Sequence, residues 1–161
     1  MARLLLVVAV AFAAPGLASA ATPRHDFVVG TGYFDALQYV VTVNAHSGPL
    51  GEDPHGSFHA MQRHTSDFNL GGSVTCLHVV GNSAYVGGII ERAPETGEPF
   101  EGETFLIQVQ DNGEPGRGDL FDAAFTFGQD PPFVPCEPLP FASFGVPAEH
   151  GNFVVHDAPA E

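Results

Sequence analysis

Apolar and polar side chains alternate with a period of two along most of this chain. Leu37, Tyr39, Val41 and Val43 are interleaved with Gln38, Val40, Thr42 and Asn44. Phe105, Ile107 and Val109 alternate with Leu106, Gln108 and Gln110. Phe121, Ala123, Phe125 and Phe127 do so with Asp122, Ala124 and Thr126. Successive side chains of a strand point to opposite faces, so each run predicts a half-buried strand. Nowhere do apolar residues recur at the i, i+3, i+4, i+7 spacing of an amphipathic helix.

Two further runs, Val74 to Val80 and Ala84 to Ile90, flank Gly81-Asn82, a pair suited to a two-residue hairpin turn because it accepts positive φ. Asp26 to Val29, Gly56 to Gln62 and Phe153 to His156 are shorter candidates. About eight short strands punctuated by turns predict an all-β fold, a single antiparallel β sandwich or a closed β barrel. Gly87-Gly88 inside a good strand points to a bulge or a close backbone approach. Pro131, Pro132, Pro135, Pro138, Pro140 and Pro147 keep the segment 130–147 out of any central ladder, so it is expected to cross the surface as extended coil.

The amino terminus breaks the pattern. Arg3 precedes an unbroken apolar run from Leu4 to Ala14, then Pro15-Gly16 and the small triplet Ala18-Ser19-Ala20. This is the layout of a cleaved signal peptide over 1–20, with cleavage before Ala21. A membrane anchor needs about 20 apolar residues, and Pro15 and Gly16 interrupt this run too early. The reading is therefore a secreted, extracellular protein whose residues 21–161 form a single β domain, with no membrane insertion after cleavage.

Charge narrows the partners. The chain carries a formal −14, with 19 acidic groups against 5 basic ones, and beyond residue 20 it has no lysine and only Arg24, Arg63, Arg92 and Arg117. Such a surface repels phosphate backbones and anionic headgroups, which argues against nucleic acid as a partner. Cys76 and Cys136 are the two cysteines, and in an oxidising compartment they are expected to form a disulfide.

Candidate chemistry is sparse. Eight histidines invite a transition-metal site, and His46, His55, His59 and His64 are its natural ligands. Spacing does not favour it: ligands sharing a strand face sit at i and i+2, whereas His55 and His59 would be roughly 13 Å apart in an extended strand. No His-x-His or His-Glu-x-x-His occurs. The loop from Asp111 to Asp119 is rich in oxygen donors, with Asp111, Asn112, Glu114 and Asp119 as possible calcium ligands. A helix-flanked calcium loop needs oxygen donors at its third and fifth positions, here Gly113 and Pro115, so the structural turn is the better-motivated reading. Ser57, His59 and Asp67 can be named as a triad, but no Gly-x-Ser-x-Gly elbow supports it. Glu101 and Glu103 read as a solvated loop edge rather than a glycosidase pair.

Three stretches taken together resemble a group of small signal-bearing bacterial proteins, often from high-GC actinobacteria. They are Asn44-Ala45-His46-Ser47-Gly48-Pro49-Leu50-Gly51-Glu52-Asp53-Pro54 with Gly56, then Val74-Thr75-Cys76-Leu77 through Gly81-Asn82-Ser83-Ala84 to Gly87-Gly88, and the Asp111 to Asp119 loop. The resemblance spans most of Val40 to Phe125 and implies a β sandwich or barrel, with no catalytic residues to carry over. The sequence reading is thus a noncatalytic extracellular binding or surface-interaction module, a monomer that meets an unidentified extracellular ligand. The alternatives are a metal-binding protein or metal-dependent enzyme using His46 to His64, and a small-ligand carrier with a barrel cavity.

Overall fold

The computed structural model describes residues 24–35, 38–65, 68–94, 100–116, 118–126, 136 and 145–159. Residues 1–20, expected to be a signal peptide, and Leu37, Asp67, Arg117, Phe127 and most of the proline-rich stretch lie outside these residues. Nine strands follow one another: β1 (Asp26–Phe34), β2 (Tyr39–Ser47), β3 (His55–Gln62), β4 (Asn69–Val80), β5 (Ser83–Arg92), β6 (Thr104–Gln110), β7 (Leu120–Thr126), β8 (Val146–Pro147) and β9 (His150–His156). All pair antiparallel in one sheet of order β8-β7-β6-β5-β4-β3-β2-β1-β9.

The sheet is strongly curled and open, a half-barrel. This corrects both expected forms: the described residues make neither a pair of stacked sheets nor a fully laddered barrel. Curling brings strands far apart in the order into contact, as when Phe34 of β1 meets Phe121 of β7 with ring centroids 5.2 Å apart. Phe58 of β3 likewise packs on Phe105 of β6 at 4.9 Å. The predicted alternation holds in β2, where Val41, Val43 and Ala45 are buried and Thr42 and Asn44 exposed, but β6 is not half-buried as expected: Phe105, Ile107 and Val109 face the core, and Leu106 and Gln108 on its other side are buried as well. Val28, Leu70, Leu77, Val86, Ile90 and Phe153 complete the centre of that core. Burying each such side chain contributes about 1.5–3 kcal/mol relative to leaving it in water.

Strand β4 changes face part-way. Val74 pairs with Gly88 but Cys76 with Gly87, so Thr75 is an extra residue. Before it Leu70, Gly72 and Val74 are buried; after it Leu77 and Val79 are. The bulge turns Cys76 outward, where it forms the disulfide with Cys136, Cα atoms 5.9 Å apart. The sequence placed the irregularity at Gly87-Gly88, and the extra residue instead sits directly opposite, while Gly88 supplies the close approach. A Cβ on Gly88 would strike the Ser73 carbonyl and the Phe105 ring. The β4–β5 hairpin has the predicted two-residue turn, with Val80 paired to Ser83 and φ of 60° at Gly81. That is the position where a type II′ turn places its glycine.

One short strand was not anticipated. Val146–Pro147, at the end of the proline-rich stretch, pairs with Phe121 and Leu120 as β8. A two-residue edge strand tolerates proline because one side of it needs no donor.

Candidate functional site

The seam between the two ends of the sheet explains the oxygen-rich loop. Strand β9 pairs with β1 along one edge, leaving the N–H groups of Phe153 and Val155 to find acceptors on the other. Asp119 Oδ2 accepts from Phe153 at 2.9 Å and Asp111 Oδ2 from Val155 at 3.2 Å. Their remaining oxygens face back into the loop, where Asp119 Oδ1 accepts from the Asn112 N–H at 2.9 Å and Asp111 Oδ1 from Gly113 at 2.8 Å. Asn112 Nδ2 donates to the Gly118 carbonyl, and Glu114 Oε1 accepts from Asn152 Nδ2 at 2.8 Å. Every carboxylate oxygen of Asp111 and Asp119 thus holds a backbone donor. These residues knit the loop together and substitute for the carbonyls of a neighbouring strand along β9.

The histidines named from sequence separate. Register sets His46 opposite His55, and their rings stack at 5.6 Å. His59 lies further along β3 and donates from Nε2 to Asn69 Oδ1 at 2.8 Å, while His64 is exposed in the turn that follows. His25, which the sequence reading did not select, joins the pair at 5.6 Å from His46. Together with Ser47, Gly48 and Asp53 the three imidazoles border a hollow of about 330 Å³. His46 Nε2 donates to Asn44 Oδ1 at 2.8 Å, and His55 Nδ1 to the Asp53 carbonyl at 2.9 Å. Partial burial, reinforced by His25 and His55, lowers the His46 pKa below the usual imidazole value. Among the described residues no three His, Cys, Asp or Glu side chains are placed so that they could hold a metal ion.

The compact turn Gly48–Glu52 keeps this pair aligned. Gly48 donates to the Glu52 carbonyl at 2.8 Å, Gly51 to the Gly48 carbonyl at 2.9 Å, and the Leu50 N–H to Glu52 Oε2 at 2.8 Å. Close by, Asp26 is 2 % exposed at the start of β1 and accepts from the Ala158 N–H at 2.8 Å. Burial raises its pKa, the Ala158 donor opposes that, and Asp157 adds to it.

At the opposite end of the strands the described residues leave a space on the concave side. Phe34 ends β1, Tyr39 begins β2, and Phe68 precedes β4, where it meets Tyr39 edge-on at 5.8 Å. With Val41, Phe58, Ala60, Phe121, Ala123 and Val146 they line an apolar cavity of about 240 Å³, beside which Asp35 is the charged residue among those described. Periodicity set Tyr39, Val41, Phe121 and Ala123 apart from their polar neighbours, but gave no sign that a space lies between them. Ser57 faces outward and exposed beside His59, with Asp67 outside the described residues, and Glu101 accepts from the Ala93 N–H. Comparison with known protein families, curated proteins and solved structures finds no match to the chain.

Proposed function

We propose that this chain is an exported, noncatalytic binding domain whose apolar end cavity takes up a small uncharged molecule. The cavity of about 240 Å³ lined by Phe34, Phe58, Phe68 and Phe121 is the observation that carries the reading. A dry apolar cavity of about 150 Å³ already suffices to bind benzene in another protein, so this one fits a ligand of one or two rings. Binding sites are mostly apolar clefts, and this lining is apolar throughout with Asp35 beside it, which suits an uncharged ligand. Export rests on the charged, apolar and small-residue segments of 1–20, and the resemblance to small signal-bearing bacterial β proteins agrees with it.

Indole and a monocyclic terpene, titrated into isotope-labelled protein, test the reading. Saturable shifts at Phe34, Val41 and Ala60 are expected, with Ala123→Phe filling the space and abolishing them while the melting midpoint holds. No shift at millimolar ligand would rule the cavity out as a binding site. Amino-terminal sequencing of protein from the culture medium should begin at Ala21.

A further inference from the structure

The outward face of β9, β1, β2 and β3 differs from the rest of the molecule. In a chain of formal charge −14, not one Asp, Glu, Lys or Arg points outward from these four strands. Charges appear at its margin: Arg63 lies 5.9 Å above the Tyr33 ring, Glu114 holds Asn152, and Asp53 lies beyond His55. None of the outward side chains on this face is buried.

A row of rings crosses it. His156 of β9 stacks on Phe27 of β1 at 5.1 Å, Phe27 meets His46 of β2 at 6.0 Å, and His46 stacks on His55 of β3. Beside this row lie uncharged hydrogen-bonding groups: Asn44 and Ser57, then Thr31 bonded to Thr42 at 3.0 Å, with His59 next to Thr42. Each hydroxyl, amide or neutral imidazole there both donates and accepts.

We propose that this face binds a neutral polysaccharide. Sugar hydroxyls also donate and accept, so they match Asn44, Thr42, Ser57 and His59, while the apolar C–H faces of a pyranose pack on aromatic rings such as Phe27. The lack of charge fits an uncharged polymer and gives no grip to an anionic one, which the surrounding acidic surface repels. A protein partner fits less well. Protein interfaces concentrate their energy in large apolar anchors, and the exposed large hydrophobic group here is Val154 at 38 %, whereas Leu50, Val80 and Val146 lie elsewhere.

Affinity electrophoresis and pull-down of the full purified chain on cellulose, xylan, mannan, β-1,3-glucan and starch test this, with alginate and heparin as anionic controls. Retention by a neutral polymer, unchanged in raised salt, is the expected result. Phe27→Ala should weaken it about tenfold, the scale of one lost aromatic contact. Ser57→Arg, on an exposed side chain that leaves the core intact, should abolish it with an unaltered melting midpoint. Ala123→Phe in the cavity should leave it unchanged. No retention on any neutral polymer overturns the proposal. So does salt-sensitive retention on the anionic ones alone, or a dimer in light scattering that Ser57→Arg dissociates.

Discussion

Asp119 and Phe153 are 34 positions apart, yet the carboxylate of one accepts the backbone N–H of the other at 2.9 Å in a fully buried setting. A side chain here does the work of a strand. Its second oxygen holds the Asn112 N–H, so truncation leaves two backbone donors without their acceptor. Hydrogen bonds to charged groups contribute about 1.5–3 kcal/mol each. Asp119→Ala is therefore expected to lower stability by about 3 kcal/mol or more in urea unfolding. Asp119→Asn, which keeps one acceptor oxygen, should lose less. If Asp119→Ala unfolds at the wild-type midpoint, the seam is held by something else.

The disulfide should matter through the unfolded chain. Cys76 and Cys136 are 60 residues apart, and closing such a loop is worth about 4 kcal/mol on the chain-entropy account. The Cys76→Ser, Cys136→Ser double variant is expected to fold with that much less stability. Wild-type protein unfolded in reductant should match it, a comparison that calorimetry makes directly.

Gly88 carries a packing requirement rather than a turn. Because an added Cβ meets the Ser73 carbonyl and the Phe105 ring, Gly88→Ala must displace a large buried side chain. Overpacking of that kind costs about 1–3 kcal/mol. Gly88→Ala combined with Phe105→Leu should recover part of the loss, and an additive double variant would show that the two do not interact.

A half-buried histidine and a buried aspartate pull stability in opposite directions with pH. His46 has a lowered pKa, so below about pH 6.5 the unfolded chain takes up a proton before the folded one does. Its contribution is complete above that pH and is lost as pH falls through the folded value. Asp26 has a raised pKa, so the folded state holds its proton longer, and stability falls as pH rises from about 3.8 through the folded value. His46→Gln should flatten the loss of stability that sets in below about pH 6.5. Asp26→Asn, still able to accept from Ala158, should equal or exceed wild type at pH 7 and lose that advantage in strong acid. Urea midpoints measured from pH 3 to pH 8 show both slopes.

The sequence revealed most of the strands because apolar side chains gather on the side that faces the core, which stamps a period of two on Val41 to Ala45; on Phe105 to Val109 the period marks the core side alone, since Leu106 and Gln108 opposite are buried too. It did not reveal β8, since two residues carry no period, nor the curl, which depends on how Phe34, Phe121 and Phe153 meet across strands distant in order. The loop from Asp111 was legible as a turn from its Asp, Asn, Gly and Pro content. That its carboxylates reach β9 was not, because the contact with Val155 joins residues 44 apart. His46 and His55 came together because pairing register placed them opposite, while His25 was missed because it lies before the first strand pattern begins.

Strand edges recruit other strands wherever a row of unsatisfied N–H groups lies open. In this molecule that row along β9 is stoppered by the side chains of Asp111 and Asp119, which take the N–H groups of Val155 and Phe153. Removing those side chains would unplug it and expose a surface on which one molecule can template the next, so the two aspartates guard against fibril growth as well as closing the seam.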